Sequence, residues 1–158
     1  MMRYVGITAT VAILDQLVKI YVRFIPYGCA FFEIPGWVSF VHCTNMGAAF
    51  SLLSGKTFFL TILSMLLLSM LGIYACRKMH LTVPAKTALS FVIGGGIGNL
   101  LDRMMYGGVT DYIRLLFIDF PVFNLADAAI TCAIAVLMFL LLTDKMEETM
   151  EENHGSEY

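Results

Sequence analysis

Two carboxylates stand out in this sequence: Asp111, expected in the glycine-led loop Gly107-Gly108-Val109-Thr110-Asp111, and Asp127, inside an otherwise uncharged helix. Both lie between Gly94 and Ile130, a stretch with four Asp, two Asn and two Arg between flanks apolar enough to span a bilayer. Ionisable groups at membrane depth are costly unless they are paired or functional. Two carboxyl groups brought close together cannot both ionise cheaply, so they share a proton and titrate in two separated steps. Such a pair is at once acid and base. Its charged member can take a proton from water and its protonated member can donate one to a carbonyl oxygen, which hydrolyses an amide without a covalent intermediate.

The same residue types also admit a proton or ion pathway through helices. A third reading is purely structural, with Asp111 paired to Arg103 or Arg114 and Asp127 a buried acid. No Ser or Cys with a nearby His offers a rival nucleophile; His42 and Cys43 adjoin, but neighbours on a strand point to opposite faces. The four cysteines, Cys29, Cys43, Cys76 and Cys132, form no CxxC pair and the three histidines are scattered. Metal-ligand spacing is therefore absent, and no metal or cofactor is expected. Cys29 and Cys43 share the first loop, where a disulfide between them is left open.

The elements that must position these groups are apolar helices. Of 158 residues, 59% are hydrophobic and only 14% charged, with a mean hydropathy of +0.80, which excludes an ordinary soluble domain and gives no basis for nucleic-acid binding. The formal charge of -2 hides an asymmetry: residues 144–158 hold six acids and one Lys, leaving the preceding chain at +3. That tail lacks apolar periodicity and is expected to be a disordered acidic segment. One membrane-embedded domain is expected over 1–143.

Four helices are expected, over about 4–24, 57–76, 86–105 and 121–143. In the first, Asp15 and Lys19 stand four apart on one face with the acid N-terminal, the favourable order for an ion pair. The 11 uncharged residues after Arg3 also resemble the core of a signal peptide, but Asp15 and Lys19 followed by more apolar residues favour a retained helix. Residues 25–56 read as a loop, with short strands around Trp37–Val41 after the Pro35-Gly36 turn and with Phe31, Phe32 and Trp37 suited to a membrane interface. The second helix has 20 uncharged residues, long enough for one crossing. Arg77, Lys78 and Lys86 crowd the next short connection and mark it as cytoplasmic. In the third helix, the glycines of Gly94-Gly95-Gly96-Ile97-Gly98 allow close helix approach, within the bundle or between two copies. Asn99, Asp102 and Arg103 follow on one face. The fourth helix, beginning near Pro121, places Asp127 roughly 9 Å along its axis. With helices alternating in direction, both termini are cytoplasmic, and Asp15, Lys19, Asn99, Asp102, Arg103, Asp111, Asn124 and Asp127 converge toward the outer side.

Five elements in order carry a resemblance: Asp15-Gln16 with Lys19; Asn45-x-Gly47-Ala48-Ala49-Phe50; Gly94-Gly95-x-x-Gly98-Asn99-x-x-Asp102-Arg103; Gly108-Val109-x-Asp111; and Phe123-Asn124-x-Ala126-Asp127. From Asp15 to about Ile130 the chain resembles the lipoprotein signal peptidases, the type II signal peptidases of bacteria. The resemblance implies an all-α inner-membrane protein of four transmembrane helices, with a small extracytoplasmic β-cradle in the first loop. It implies an aspartic endopeptidase, cofactor-free and monomeric, surrounded by membrane lipid. Its substrates would be diacylglyceryl-modified prolipoproteins, cleaved just before the lipidated cysteine. By the same resemblance Asp111 and Asp127 are catalytic, Asn45, Gly47, Asn99, Arg103 and Asn124 lie near substrate and dyad, and Asp15, Lys19 and Asp102 are supporting polar residues. The chain departs from that pattern in having Gly96 where Ala is usual and Tyr112 where Phe is usual. A proton- or ion-coupled transporter is the alternative.

Overall fold

The computed structural model describes residues 2–47, 55–77 and 81–155, with side chains through residue 143. Ala48, Ala49, Phe50 and Lys78 lie outside the described residues. The chain runs α1 (Met2–Arg23), β1 (Ala30–Ile34), β2 (Val38–Asn45), α2 (Thr57–Arg77), α3 (Val83–Tyr106), β3 (Val109–Leu115) and α4 (Leu125–Gly155). Among the described residues, three helical stretches, Met2–Arg23, Thr57–Arg77 and Leu125–Thr143, are long and apolar enough to cross a membrane.

Helix α3 is missing from that set for a physical reason. Its 24 residues are long enough, at about 36 Å, but it is the hub of the bundle and packs against α1, α2 and α4. A helix enclosed by protein can carry polar groups that a lipid-facing helix cannot. Three consecutive glycines turn toward three different neighbours. A Cβ on Gly94 would stand 2.7 Å from the Thr8 carbonyl of α1, one on Gly95 2.8 Å from the Ala126 carbonyl of α4, and one on Gly96 2.6 Å from Leu68 of α2. One turn on from Gly94, a Cβ on Gly98 would collide with the Asp15 carboxylate. The glycines therefore serve contact within the bundle.

Local signals fix the ends of α3. Thr82 caps its start, accepting from Ala85 N, and Gly107 stops it in the left-handed region with φ 73°. Gly108 follows, where a Cβ would press on Thr44 of β2 at 2.8 Å. The chain then enters β3, which pairs antiparallel with β2, itself paired with β1 across the Pro35-Gly36 turn. In that turn Gly36 has φ 76° and Trp37 N donates to Ile34 O at 3.0 Å, as Pro then Gly at its two central positions require. The sheet caps the bundle at the C-terminal ends of α1 and α3 and the N-terminal end of α4.

Three expectations are corrected. Asp111 lies in a strand, not a loop, because β2 supplies a distant pairing edge opposite Val109–Leu115. The fourth helix starts at Leu125 rather than Pro121, since Phe123 is engaged by β3: its carbonyl accepts from Tyr112 N and Ile113 N at 3.0 and 2.8 Å. The acidic segment after Thr143 continues α4 to Gly155 instead of being disordered. Its Lys, Met and Glu are good helix formers, and no Gly or Pro interrupts them before that point. Cys29, Cys43, Cys76 and Cys132 are free thiols.

The glycine contacts give a graded expectation. Gly98→Ala should destabilise the purified protein by about 1–3 kcal/mol, as overpacking does, whereas Gly72→Ala, whose added Cβ meets nothing within 4 Å, should be neutral or stabilising. Thermal unfolding in detergent distinguishes the two.

Candidate active site

The site is built around a buried cation. Lys19, on the fifth turn of α1, is 0% exposed. Its ammonium reaches Asp15 Oδ2 at 2.8 Å, Asn99 Oδ1 at 2.7 Å and Asp102 Oδ2 at 3.7 Å. The i, i+4 ion pair expected from the sequence is present, and α3 supplies a second acceptor in Asn99 and a second counter-charge in Asp102. Asp102 also accepts from Arg23 Nη2, Gln16 Nε2 and the backbone N of Thr110, at 2.5, 2.9 and 2.8 Å. That last bond grips the strand one residue before Asp111.

Asp111 is 2% exposed. Its Oδ1 accepts from Asn124 Nδ2 at 2.7 Å, and the Asn45 side chain at the end of β2 also favours its charged form. Asn124 sits immediately before α4 and its amide oxygen accepts from Asp127 N at 2.9 Å, while Asp127 Oδ2 accepts from Asn124 N at 3.3 Å. This is a reciprocal capping box, so Asp127 lies in the first turn of α4 rather than well inside the helix. Asn99 Nδ2 donates to Asp127 Oδ1 at 2.7 Å, and Asn124 Nδ2 also donates to Asn99 Oδ1 at 3.1 Å. Two asparagine amides thus bridge the two carboxyl groups.

The start of α4 is unusually well tied down. Leu125 N donates to Tyr112 Oη at 3.1 Å, Ala126 N to Asp15 Oδ1 at 3.1 Å and Ala128 N to Asn124 O at 3.2 Å. The last is the helix's own first ladder bond; with Asn124 N and Asp127 N paired in the capping box, all four amides that a helix leaves unpaired at its start have partners. No buried side-chain N or O lacks a partner among the described residues. Arg103 leans over the same region, with long contacts to Asn99 O and Gly47 O, each 3.5 Å. Gly47 N is held by Asn45 Oδ1 at 2.9 Å. Arg103 and Arg114 are in none of the three ion pairs among the described residues. The purely structural pairing of Asp111 with an arginine is therefore not what forms.

Several residues here were not singled out from sequence. Arg23 joins α1 to β3 through Asp102 and through Thr110 Oγ1 at 3.1 Å, and its guanidinium lies 4.0 Å from the centre of the Tyr106 ring. Spacing held the signal for Arg23, which lies one turn beyond Lys19. Nothing local marks Thr110. The Tyr112 hydroxyl, seen in the sequence as a departure, acts as a helix cap.

The electrostatics separate the two acids by environment. Burial, then the neighbouring Asp127 charge, push the Asp111 carboxyl from 3.8 up to about 7, against hydrogen bonds from Asn124 and Asn45. Burial likewise pushes the Tyr112 phenol up to about 12, so its hydroxyl stays neutral. Asp127 is half-buried and open on one side. The pair therefore sets a buried carboxyl that holds its proton more tightly than usual beside a second carboxyl that is only half-buried.

Because the Asp111 carboxyl binds its proton more tightly in the folded state, its contribution to stability is full below pH 3.8 and is lost as pH rises through about 7. Asp111→Asn should therefore flatten the fall in melting temperature between those limits. Tyr112→Phe, which strands the Leu125 amide, should lower stability by about 1–3 kcal/mol, measured by the same unfolding experiment.

Residues 7–143 match the family described as Signal peptidase (SPase) II. The chain is 38% identical over 129 residues to the lipoprotein signal peptidase of Streptococcus pyogenes serotype M1, covering 81% of this chain and 85% of that one. To its counterpart in Streptococcus pyogenes serotype M3 (strain SSI-1) the identity is 37% over the same shares. Two bacterial membrane enzymes solved by the in meso method are similar in structure. One superposes with a TM-score of 0.86 at 30% identity, covering 92% of this chain and 90% of that one. The other superposes with a TM-score of 0.81 at 31% identity, covering 91% and 95%. With this match spanning the helices, the sheet and both bridged carboxylates, the chain belongs to the signal peptidase II family.

Proposed function

We propose that this protein is an intramembrane aspartic endopeptidase that removes the signal peptide from diacylglyceryl-modified prolipoproteins, cutting just before the lipidated cysteine, with Asp111 and Asp127 as its catalytic pair. The carrying observation is the bridge of Asn124 and Asn99 amides between those two carboxyl groups. It supports a pair held close with one member buried.

In this reading Asp127 takes a proton from a water as the oxygen attacks the scissile carbonyl, and protonated Asp111 donates to the carbonyl oxygen. The tetrahedral diol then collapses. One carboxyl group gives its proton to the departing amide nitrogen while the other takes a proton from a diol hydroxyl, the C–N bond breaks as the carbonyl re-forms, and the pair again holds a single proton. No covalent enzyme intermediate forms. Asn45, Gly47 and Arg103 stand beside the pair at the end of β2, where Arg103 can orient a substrate carbonyl and the backbone near Gly47 can line an extended peptide.

The membrane arrangement belongs to the same proposal. The domain covers residues 1–143, with α3 as a fourth, central crossing. The basic link bearing Arg77 and Lys86 faces the cytoplasm, as do both termini and the helical acidic tail. The sheet and the dyad then face the outer side of a bacterial inner membrane, and the protein acts as a monomer in contact with lipid. A diacylated substrate reaches such a site sideways from the bilayer. The transporter alternative gains no support from the geometry, since the buried ionisable groups cluster at one end of the bundle.

Purified protein in detergent should shift a diacylglyceryl-modified prolipoprotein on a gel. Asp111→Asn and Asp127→Asn, folded as judged by circular dichroism, should each slow cleavage by about 10²- to 10⁴-fold. Turnover by wild type should fall as pH rises through about 7, where Asp111 loses its proton. Full activity in both single variants would sink the dyad; a folded wild type that cleaves nothing would sink the peptidase.

A further inference from the structure

Arg23 is the last residue of α1, one turn beyond Lys19 and two beyond Asp15, so the three share one helix face. With Asp102 of α3 they form a cluster of two acids and two cations whose formal charges cancel. Lys19 Nζ stands 2.8 Å from Asp15 but 3.7 Å from Asp102, whereas Arg23 Nη2 reaches Asp102 Oδ1 at 2.5 Å. Arg23 is therefore the nearer counter-charge of Asp102, a carboxyl that is 0% exposed.

The other contact of Arg23 is with the strand that carries Asp111. Arg23 Nε donates to Thr110 Oγ1 at 3.1 Å, and Asp102 Oδ2 accepts from Thr110 N at 2.8 Å. Guanidinium, carboxylate and threonine thus close a ring in which Asp102 holds the backbone of Thr110 and Arg23 holds its side chain. A lysine cannot make the same closure, because its ammonium is a single point of donation whereas Nε and Nη2 belong to one planar fork. The Tyr106 ring, its centre 4.0 Å from the guanidinium carbon, sets the plane of that fork.

Successive side chains on a strand point to opposite faces. Holding the Thr110 hydroxyl at Arg23 therefore turns Asp111 to the other face, where Asn124 meets it. Among the described residues Arg23 makes no hydrogen bond or ion pair with Asp111, Asp127, Asn99 or Asn124. Neither Arg23 nor Thr110 belongs to the fixed positions of the five sequence elements: Arg23 follows the first, and Thr110 fills the free position of Gly108-Val109-x-Asp111.

We infer that Arg23 is a positioning residue for Asp111, fixing the direction of the strand at that acid through its fork to Asp102 and Thr110. This rests on the reading of Asp111 as one of the catalytic pair. Arg23 acts from behind the strand, so its loss slows the chemical step instead of weakening substrate binding. A misplacement of about 1 Å at a reacting group can cost about 10²-fold in rate.

The test is steady-state cleavage of a diacylglyceryl-modified prolipoprotein by the full chain in detergent, with the folding of each variant checked by thermal unfolding. Arg23→Lys keeps the charge and loses the fork; it should lower kcat about 10- to 100-fold and leave KM within about threefold of wild type. Thr110→Val keeps every charge and removes the acceptor, and should lower kcat by a similar factor. The double variant should lose little more than either single variant, because both break one contact. Thr110→Ser, which keeps a hydroxyl at that position, should recover most of the rate lost in Thr110→Val. If Arg23→Lys fails to fold, the two Thr110 variants carry the test. An unchanged kcat in the folded single variants overturns the positioning role and leaves the peptidase in place, as do losses that multiply in the double variant. A rise in KM at constant kcat overturns it by placing Arg23 in substrate binding. A folded wild type that cleaves nothing overturns the peptidase and this inference with it.

Discussion

The buried ammonium of Lys19 is the constraint on which the rest of the structure depends. An unpaired charge in a bilayer-embedded interior costs several kcal/mol, and Lys offers three protons that all need acceptors. Here Asp15 and Asn99 accept, and the Asp102 carboxylate stands 3.7 Å away as a second counter-charge. Each uses its remaining polar atoms to place one part of the site. Asp15 caps the start of α4, Asn99 donates to Asp127, and Asp102 holds the strand beside Asp111. Satisfying one cation thus fixes the relative position of two acids that lie 16 residues apart in sequence and on different elements.

The first turn of α4 shows how stability and chemistry share the same atoms. A helix start demands partners for its free amides and favours negative charge nearby. Asn124 and Asp127 meet both demands, and Tyr112 and Asp15 supply the rest. An acid that would ordinarily be only a cap is left half-open beside a buried neighbour whose carboxyl burial pushes up to about 7. The asparagines matter because an amide can donate to a carboxylate and accept from a cation or a backbone amide without changing the net charge of the cluster.

Much of this was legible in the sequence where the signal was local. The spacing of Asp15 and Lys19 predicts their ion pair, the uncharged run after Thr57 predicts α2, and Pro35-Gly36 predicts the β1–β2 turn. The convergence of Asn99, Asp102, Asn124, Asp111 and Asp127 follows from helices that alternate in direction. What escaped was set by distant partners. Asp111 reads as a loop residue until β2, more than 60 positions earlier, provides an edge for its strand. Pro121 looks like a helix start until β3 takes the carbonyl of Phe123. Arg23 carries a spacing signal one turn beyond Lys19, but only the fold shows that Asp102, Thr110 and Tyr106 are its partners. The acidic segment after Thr143 lacks an apolar stripe, yet its residues favour helix and simply prolong α4.

The ion pair within α1 also bears on how the chain is made. Residues are synthesised from the N-terminus, so α1 meets the bilayer before Asn99, Asp102 and Ala126 exist. During that interval Lys19 and Asp15 have each other, one helical turn apart. The pair lets the first helix enter lipid as a self-neutralised segment, and the later helices then recruit the same two side chains as anchors. A single four-residue spacing thus serves as escort during biosynthesis and as keystone in the finished enzyme.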